Sequence, residues 1–392
     1  MKIKSINVIG VGGVENLHVN FNDNMNFICG PNGIGKTTLL ECVAHTFSMF
    51  STNILKRNVS SDTGVFKTVV DIDGKLKNTS NEVKDFDPDK TVRIDGLYRN
   101  SIKLLSFKVS RSFEYKSLNS VGKDINKDEN TSYEEAKNGI NINEVKNWFV
   151  NRYLYSVHKE ALTKEQMNNL MLSEKSFSIL DDNYTFSRVL AASNEIMINT
   201  PNGEIYYEYL SSGFKSCLSI IFGIIKEIEF RFKNPCINAC DFDGVILIDE
   251  LELHLHPEWQ AKIAKKLVEI FPKAQFITTT HSPHILQNAN SNEIIALATE
   301  GGKVYRRDLE GRKYGYQGWT VEEILTDVMG MTDTRTDIYY KEINSFENAI
   351  LNENYKEAET AYKELDSLLH PNNHMRKLLK LELVTIKEEC LD

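Results

Sequence analysis

GPNGIGKTT, residues 30–38, stands between the apolar run MNFIC (25–29) and the stretch LLECVAHTF (39–47). The first flank reads as a buried strand and the second as a helix, so the order predicted is strand, glycine-rich loop, helix. The pattern G-x-x-x-x-G-K-[ST] is complete. Gly30, Gly33 and Gly35 allow a loop that also holds Pro31, Asn32 and Ile34 to turn its backbone N–H groups toward phosphate oxygens. Lys36 is expected to reach the β- and γ-phosphates of ATP, as both a binding and a catalytic cation. Thr37 is expected to ligate Mg²⁺, and Thr38 lies in the first helical turn, whose positive end faces the anion.

A phosphate cradle of this kind needs an acidic partner, and VILIDE (245–250) supplies one. Its unbroken apolar run predicts a strand covered on both faces, as in a parallel sheet. Asp249, at the carboxyl edge, can hold Mg²⁺ through water. Glu250 beside it can orient and deprotonate an attacking water. A helix (257–270) and a strand (275–279) follow, completing a βαβ unit that ends in Thr280-His281-Ser-Pro. An imidazole at that edge can bond a γ-phosphate or be purely structural, and His281 is the candidate. His254 and His256, in ELHLHP, alternate across an extended segment and are too few for a metal site, so they are read as interface or packing residues.

A second small-residue string, LSSGFKS (210–216), precedes the apolar run 217–225. It reads as a helix start with Ser212 at the N-cap, followed by a long helix over 214–232. Upstream, IKSINVIG, ENLHVNF and the stretches VFKTVVDI, KTVRIDGLY and KLLSFKVSRSF within 65–116 read as antiparallel strands. Residues 119–143 read as a polar mobile loop, 143–180 as helical, and Thr200-Pro-Asn-Gly as a hairpin. Beyond a capping box at Thr320–Glu323, helices are expected around Ala358–Leu369 and Leu378–Ile386.

The 392 residues allow two or three domains. A composition of 41% hydrophobic and 26% charged residues is that of a globular protein, and no apolar run nears the roughly 18 residues of a membrane helix. The N-terminus breaks any apolar core with glycines and a glutamate, so a cytoplasmic protein with no membrane association is expected. The net charge of −9 offers no whole-molecule attraction for DNA. The six cysteines are read as structural.

GPNGIGKTT, LSSGFKS, VILIDELELHLHP and TTHSP, in that order, resemble the ATP-binding-cassette ATPases of the SMC, RecF and OLD kind. HPEWQAKIAKKLVEIFPKAQFITTTHSP and the tail GWTVEEILTDVMGMTDTRTD are more specifically similar to Septu-type defence ATPases (PtuA-like), also found with retrons. The resemblance implies an α/β fold with a parallel core sheet, an antiparallel β subdomain, a helical insertion and a C-terminal helical appendix. The expected divisions are 1–118, 119–210, 211–310 and 311–392. It implies ATP and Mg²⁺ as ligands, and a homo-oligomer, at least a dimer, in which Ser211, Ser212 and Gly213 cover a neighbour's nucleotide. It also implies a separate nuclease subunit, of HNH type, controlled by a chain that is not itself a nuclease, with nucleic acid met through the complex. Two departures stand out. Phe214 replaces a frequent glutamine, and no glutamine follows the first helix where a metal-sensing loop would lie, with Arg111 the nearest substitute. The alternative is a RecF/SMC-like repair ATPase that binds duplex DNA directly, through Lys56-Arg57 or the basic residues between Lys103 and Arg111.

Overall fold

The strand that feeds the glycine-rich loop lies inside a six-stranded sheet. The computed structural model describes residues 1–110, 117–311, 313–332 and 335–389, with side chains to residue 386. Arg111 lies outside the described residues. By compactness the chain divides into a larger unit, Met1–Gly330, and a smaller one from Met331 onward.

The larger unit opens with the hairpin β1 (Lys2–Val11) and β2 (Val14–Asn20), turned at Gly12-Gly13. β3 (Met25–Cys29) leads into the loop and α1 (Lys36–His45). β4 (Met49–Thr52), β5 (Gly64–Ile72), β6 (Lys75–Val83) and β7 (Val92–Asp95) build the antiparallel part, before β8 (Leu104–Phe107). Helices α2 (Glu129–Asn138), α3 (Val145–Ser156) and α4 (Lys164–Leu180) follow. A small sheet of β9 (Thr185–Val189), β10 (Ile196–Thr200) and β11 (Gly203–Tyr206) comes next. Then come α5 (Ser212–Arg231), β12 (Val245–Ile248), α6 (Pro257–Ile270), β13 (Gln275–Thr279) and α7 (Pro283–Gln287). β14 (Ile294–Glu300), β15 (Lys303–Arg306) and α8 (Val321–Glu323), which continues as a π-helical turn, finish the unit.

The core sheet runs β15-β14-β3-β13-β12-β8, parallel throughout except at β15. Every residue of β3, β8, β12 and β13 is buried, because helices or a second sheet cover both faces. The two-residue period sorts the side chains. Phe27, Ile246 and Ile248 join the core under α3–α6, whereas Ile28, Val245 and Leu247 join the core under α1 and the sheet β2-β1-β5-β6. Parallel direction brings the carboxyl ends of β3, β13 and β12, three adjacent strands, to one edge.

Four elements differ from expectation. β8 is no part of the antiparallel subdomain; it pairs in parallel with β12, as its two-sided apolar run LLSF demands. β6, KLKNTSNEV, is an edge strand joined to β5 by a turn at Asp73-Gly74, both with positive φ, and its polarity hides it from a hydrophobic reading. The segment 119–143, expected as a mobile loop, contains α2. Asp128 caps that helix, and Lys127 and Glu135 anchor it by buried ion pairs to Glu227 and Arg231. Residues 311–330, expected with the C-terminal appendix, contribute Tyr316, Ile324 and Val328 to the core of the larger unit.

The smaller unit consists of α9 (Asp337–Leu351), α10 (Tyr355–Leu368) and α11 (Met375–Glu389) around Phe346, Ala358, Leu365 and Leu379. α10 and α11 match the expected helices. α9 was not anticipated, although Ile343, Phe346 and Ile350 carry its period.

Candidate nucleotide site

The loop 30–35 owes its shape to close approaches. A Cβ on Gly30 would stand 2.5 Å from the Leu297 carbonyl oxygen, and one on Gly35, at φ 100°, would stand 2.8 Å from Val14 Cγ2. Gly35 occupies the N-cap of α1 without a side-chain cap, so the first-turn N–H groups stay open for an anion. Pro31, Asn32 and Gly33 line the outer rim, Ile34 is buried beneath it, and Thr38 packs under Gly12 of the β1–β2 turn. Lys36 folds back over the loop, donating to the carbonyls of Gly30 (2.9 Å) and Pro31 (2.8 Å). Burial lowers its pKa, opposed by the charges of Glu252, Asp249 and Glu250.

Thr37 Oγ1 lies 3.4 Å from both carboxylate oxygens of Asp249. Thr279, the last residue of β13, organises this corner. Its hydroxyl donates to Asp249 Oδ1 (2.6 Å) and accepts the Glu250 N–H (2.7 Å), and its carbonyl takes the Leu251 N–H (3.0 Å). Glu250 is thereby held at φ 50°, a left-handed conformation that costs a glutamate on the order of 1 kcal/mol. A carboxylate and a threonine hydroxyl this close form a hard oxygen donor pair, which suits Mg²⁺.

His281 follows at the end of β13, half-buried. Burial and the Lys36 charge lower its pKa, against Glu252, Glu250 and Asp249, so the ring is neutral near pH 7. Its backbone N–H donates to Glu252 Oε1. Ser282 donates to Gln260 of α6 and caps α7. His256 caps α6, accepting from Glu258 N at 3.5 Å, while His254 is exposed at φ 65°.

Three residues near this site were absent from the sequence reading. Thr279 closes a buried strand, QFITT, as the second of two threonines. Glu252 looks like one more acid in an acidic turn. Lys108 directly follows β8, whose Phe107 carbonyl accepts the Asp249 N–H (2.9 Å). Its ammonium meets Glu41 of α1 at 2.6 Å, placing a cation in the strand-end slot where a glutamine was sought. Burial, reinforced by the Asp249 charge, raises the Glu41 pKa despite Lys108.

The second string sits differently. The N-cap of α5 is Ser211, not Ser212, because Ser211 is extended and its hydroxyl accepts the Phe214 N–H at 3.3 Å. Ser211 and Ser212 are exposed, and Gly213 is buried. A Cβ there would come within 3.0 Å of Trp259 Cδ1 and 3.3 Å of the His256 nitrogen, so this glycine permits α5 to pack on α6. Phe214 fills the same corner, edge-on to Trp259. Among the described residues no hydrogen bond joins 211–213 to the loop 30–38.

Residues 36, 37, 249, 250 and 281 therefore lie at one sheet edge, with the Thr37 and Asp249 side chains in contact, and 211–213 share no hydrogen bond with that group among the described residues. No helix among the described residues is long and apolar enough to cross a membrane.

Residues 25–287 match the family described as "AAA domain, putative AbiEii toxin, Type IV TA system". The chain is 46% identical over 388 residues to a Septu protein PtuA of Bacillus thuringiensis, with 97% of each chain covered. It is 27% identical over 252 residues to "Retron Ec83 probable ATPase" of Escherichia coli, covering 61% of this chain and 45% of that protein. Among solved structures, the SMC head domain from Thermotoga maritima aligns with a TM-score of 0.48 at 14% identity, over 79% of this chain and 100% of that one.

Proposed function

The chain belongs to the PtuA family of Septu ATPases, and from that premise we propose that it binds ATP between protomers and gates a separate nuclease. The observation that carries the nucleotide reading is the convergence of Lys36, Thr37, Asp249, Glu250 and His281 on the carboxyl edge of three adjacent strands.

In this reading the open N–H groups of α1 and the Lys36 ammonium receive the phosphates, Lys36 exchanging the Gly30 and Pro31 carbonyls for phosphate oxygens. Thr37 and Asp249 would hold Mg²⁺, which when bound neutralises phosphate charge. Glu250, fixed by Thr279, takes the proton of the attacking water, and the neutral His281 ring donates to the γ-phosphate. The exposed end of α5, with Ser211 and Ser212 outward, supports a role toward a neighbouring protomer. In that role Gly213 serves by letting α5 seat against α6. Differential affinity of ATP for the closed assembly would then control the partner, an HNH-type nuclease docked through the C-terminal helices, with nucleic acid met through the complex. The chain itself would cut no DNA, and the cytoplasm is its expected compartment.

For the alternative, direct duplex binding, the candidate cations among the described residues are engaged within the chain, which weighs against that reading. Lys56 is bonded to the carbonyls of Asp87, Pro88 and Lys90. Arg57 donates to Asn58 and Ser61 and lies over Phe86. Lys103 pairs with Asp73 and Asp243, and Lys108 with Glu41.

The test is solution mass with and without ATP–Mg²⁺ for wild type, Ser211→Arg and Glu250→Gln, co-expressed with the neighbouring gene. ATP-dependent assembly that Ser211→Arg abolishes, with a nuclease retained, is the expected result. Mass insensitive to both ATP and Ser211→Arg refutes the shared site.

A further inference from the structure

Glu252 is drawn into the site by three observations. One carboxylate oxygen accepts the backbone N–H of His281, although the two residues lie 29 positions apart on different loops. Its second oxygen, Oε2, is buried and has no hydrogen-bond partner among the described residues. Its charge lies near enough to Lys36 and His281 to act on both. A buried carboxylate oxygen without a donor is costly, and such a group in a native fold calls for an explanation.

The surrounding backbone keeps Glu252 in place. Leu251 N–H donates to the Thr279 carbonyl, Leu253 N–H to the Glu250 carbonyl, and Leu255 N–H to the Glu252 carbonyl. The segment after β12 is therefore a series of tight turns, with left-handed residues at Glu250 and His254 on either side of Glu252. Thr279 holds the first of these turns to β13, and Glu252 holds the loop beyond β13 to the same segment. Thr280 N–H is bonded to the Ile28 carbonyl (3.0 Å) and the Ser282 hydroxyl to Gln260 (2.6 Å), so the Glu252 contact is the tie at His281 itself, between those two anchors.

We propose that Glu252 is a positioning residue for hydrolysis, fixing the main chain of His281 so that its ring faces the phosphate end of the site. This rests on the nucleotide reading above. It assigns to the acid two places beyond Glu250 a role that acts through His281 and not on the water.

The experiment uses the full-length chain and compares Glu252→Ala, Glu252→Gln, His281→Ala, the Glu252→Ala/His281→Ala double variant and Glu250→Gln. ATP turnover and ATP affinity are measured separately. Glu252→Ala should lower kcat by about 10- to 100-fold, as misplacement of a reacting group does, with ATP affinity within about threefold. Glu252→Gln keeps an oxygen acceptor and should recover most of kcat. The double variant should be no slower than His281→Ala, because the two residues act as one unit. An unchanged kcat in Glu252→Ala overturns the proposal. So does a Glu252→Gln variant as slow as Glu252→Ala, or losses that add in the double variant, since either means Glu252 acts independently of His281.

If wild type turns over ATP no faster than Glu250→Gln, the hydrolytic reading of the site fails instead. Amide exchange across residues 280–282 then decides the role of Glu252 without turnover. Exchange about tenfold faster in Glu252→Ala and restored in Glu252→Gln supports the contact, as loss of one charge-assisted hydrogen bond requires. Equal exchange in all three overturns it.

Discussion

α1 and α5 both begin in small residues, yet their ends are built for opposite purposes. α1 starts at Gly35, uncapped, with a buried lysine as its first residue and carboxylates at its side. α5 starts at Ser211, whose own hydroxyl caps the helix, with exposed serines and a glycine consumed by packing on Trp259. The first end is organised within one chain, through contacts among three strands. The second has structural support, and its one lysine, Lys215, is turned back onto the Glu208 carbonyl (2.9 Å). A helix end that is rigid, outward and electrically incomplete suits a ligand delivered by another molecule.

That contrast can be broken by experiment. Lys36→Ala should reduce ATP affinity about 100-fold, some 2.7 kcal/mol, whereas Ser211→Arg should leave it within about threefold. Calorimetric titration without turnover checks both, and equal losses would mean that the two ends share one site in one chain. Next, Ser211→Arg should lower kcat by about 100-fold, the usual scale for one missing transition-state contact, and abolish ATP-driven assembly. A normal kcat would leave the α5 end with no part in hydrolysis. Gly213→Ala should cost about 1–3 kcal/mol by overpacking against Trp259, read as a lowered unfolding temperature. A neutral result would free Gly213 for a contact role.

The last effect concerns the far end of α1. His45 is buried, bonding the Glu41 carbonyl through Nδ1 and the Thr52 hydroxyl through Nε2, and burial pushes its pKa down to about 3. The unfolded chain therefore takes the proton first. The stabilisation is complete above about pH 6.5 and is lost as pH falls toward about 3, at about 1.4 kcal/mol per pH unit. Urea unfolding between pH 7 and 5 should show this slope in wild type and not in His45→Gln. α5 ends instead in a buried charge, Arg231, and has no such element.

Signals that are local in the chain were legible. The strands at 245–248 and 275–279 and the helix at 257–270 stand where apolar runs and turn residues put them. What escaped depends on partners far away. Thr37 meets Asp249 across 212 residues, and Lys127 meets Glu227 across 100. α2 has too few apolar anchors to be read as a helix until that second pairing is known. The direction of β8 was available in LLSF, yet the neighbouring antiparallel strands outweighed it. Thr279 and Glu252 lie within TTHSP and VILIDELELHLHP, yet those strings assign them no role, and Lys108 stands in no motif; the topology that gathers strand ends at one edge reveals all three. Ser211 and Ser212 are equally good caps on paper, and backbone geometry chose between them.

Lys226, Glu227, Glu229 and Arg231 are all buried on α5, and their counter-charges Glu144, Lys127, Arg152 and Glu135 come from the stretch between β8 and β9. Arg231 also reaches the Leu104 carbonyl at the start of β8. This stretch is therefore no detachable module. Excising it would strand several charges in the interior, at about 3–5 kcal/mol each. A chimera between relatives would have to carry residues of roughly 120–231 as one inherited cassette, and a graft that moved the insertion without the helix would arrive with half its charges unanswered.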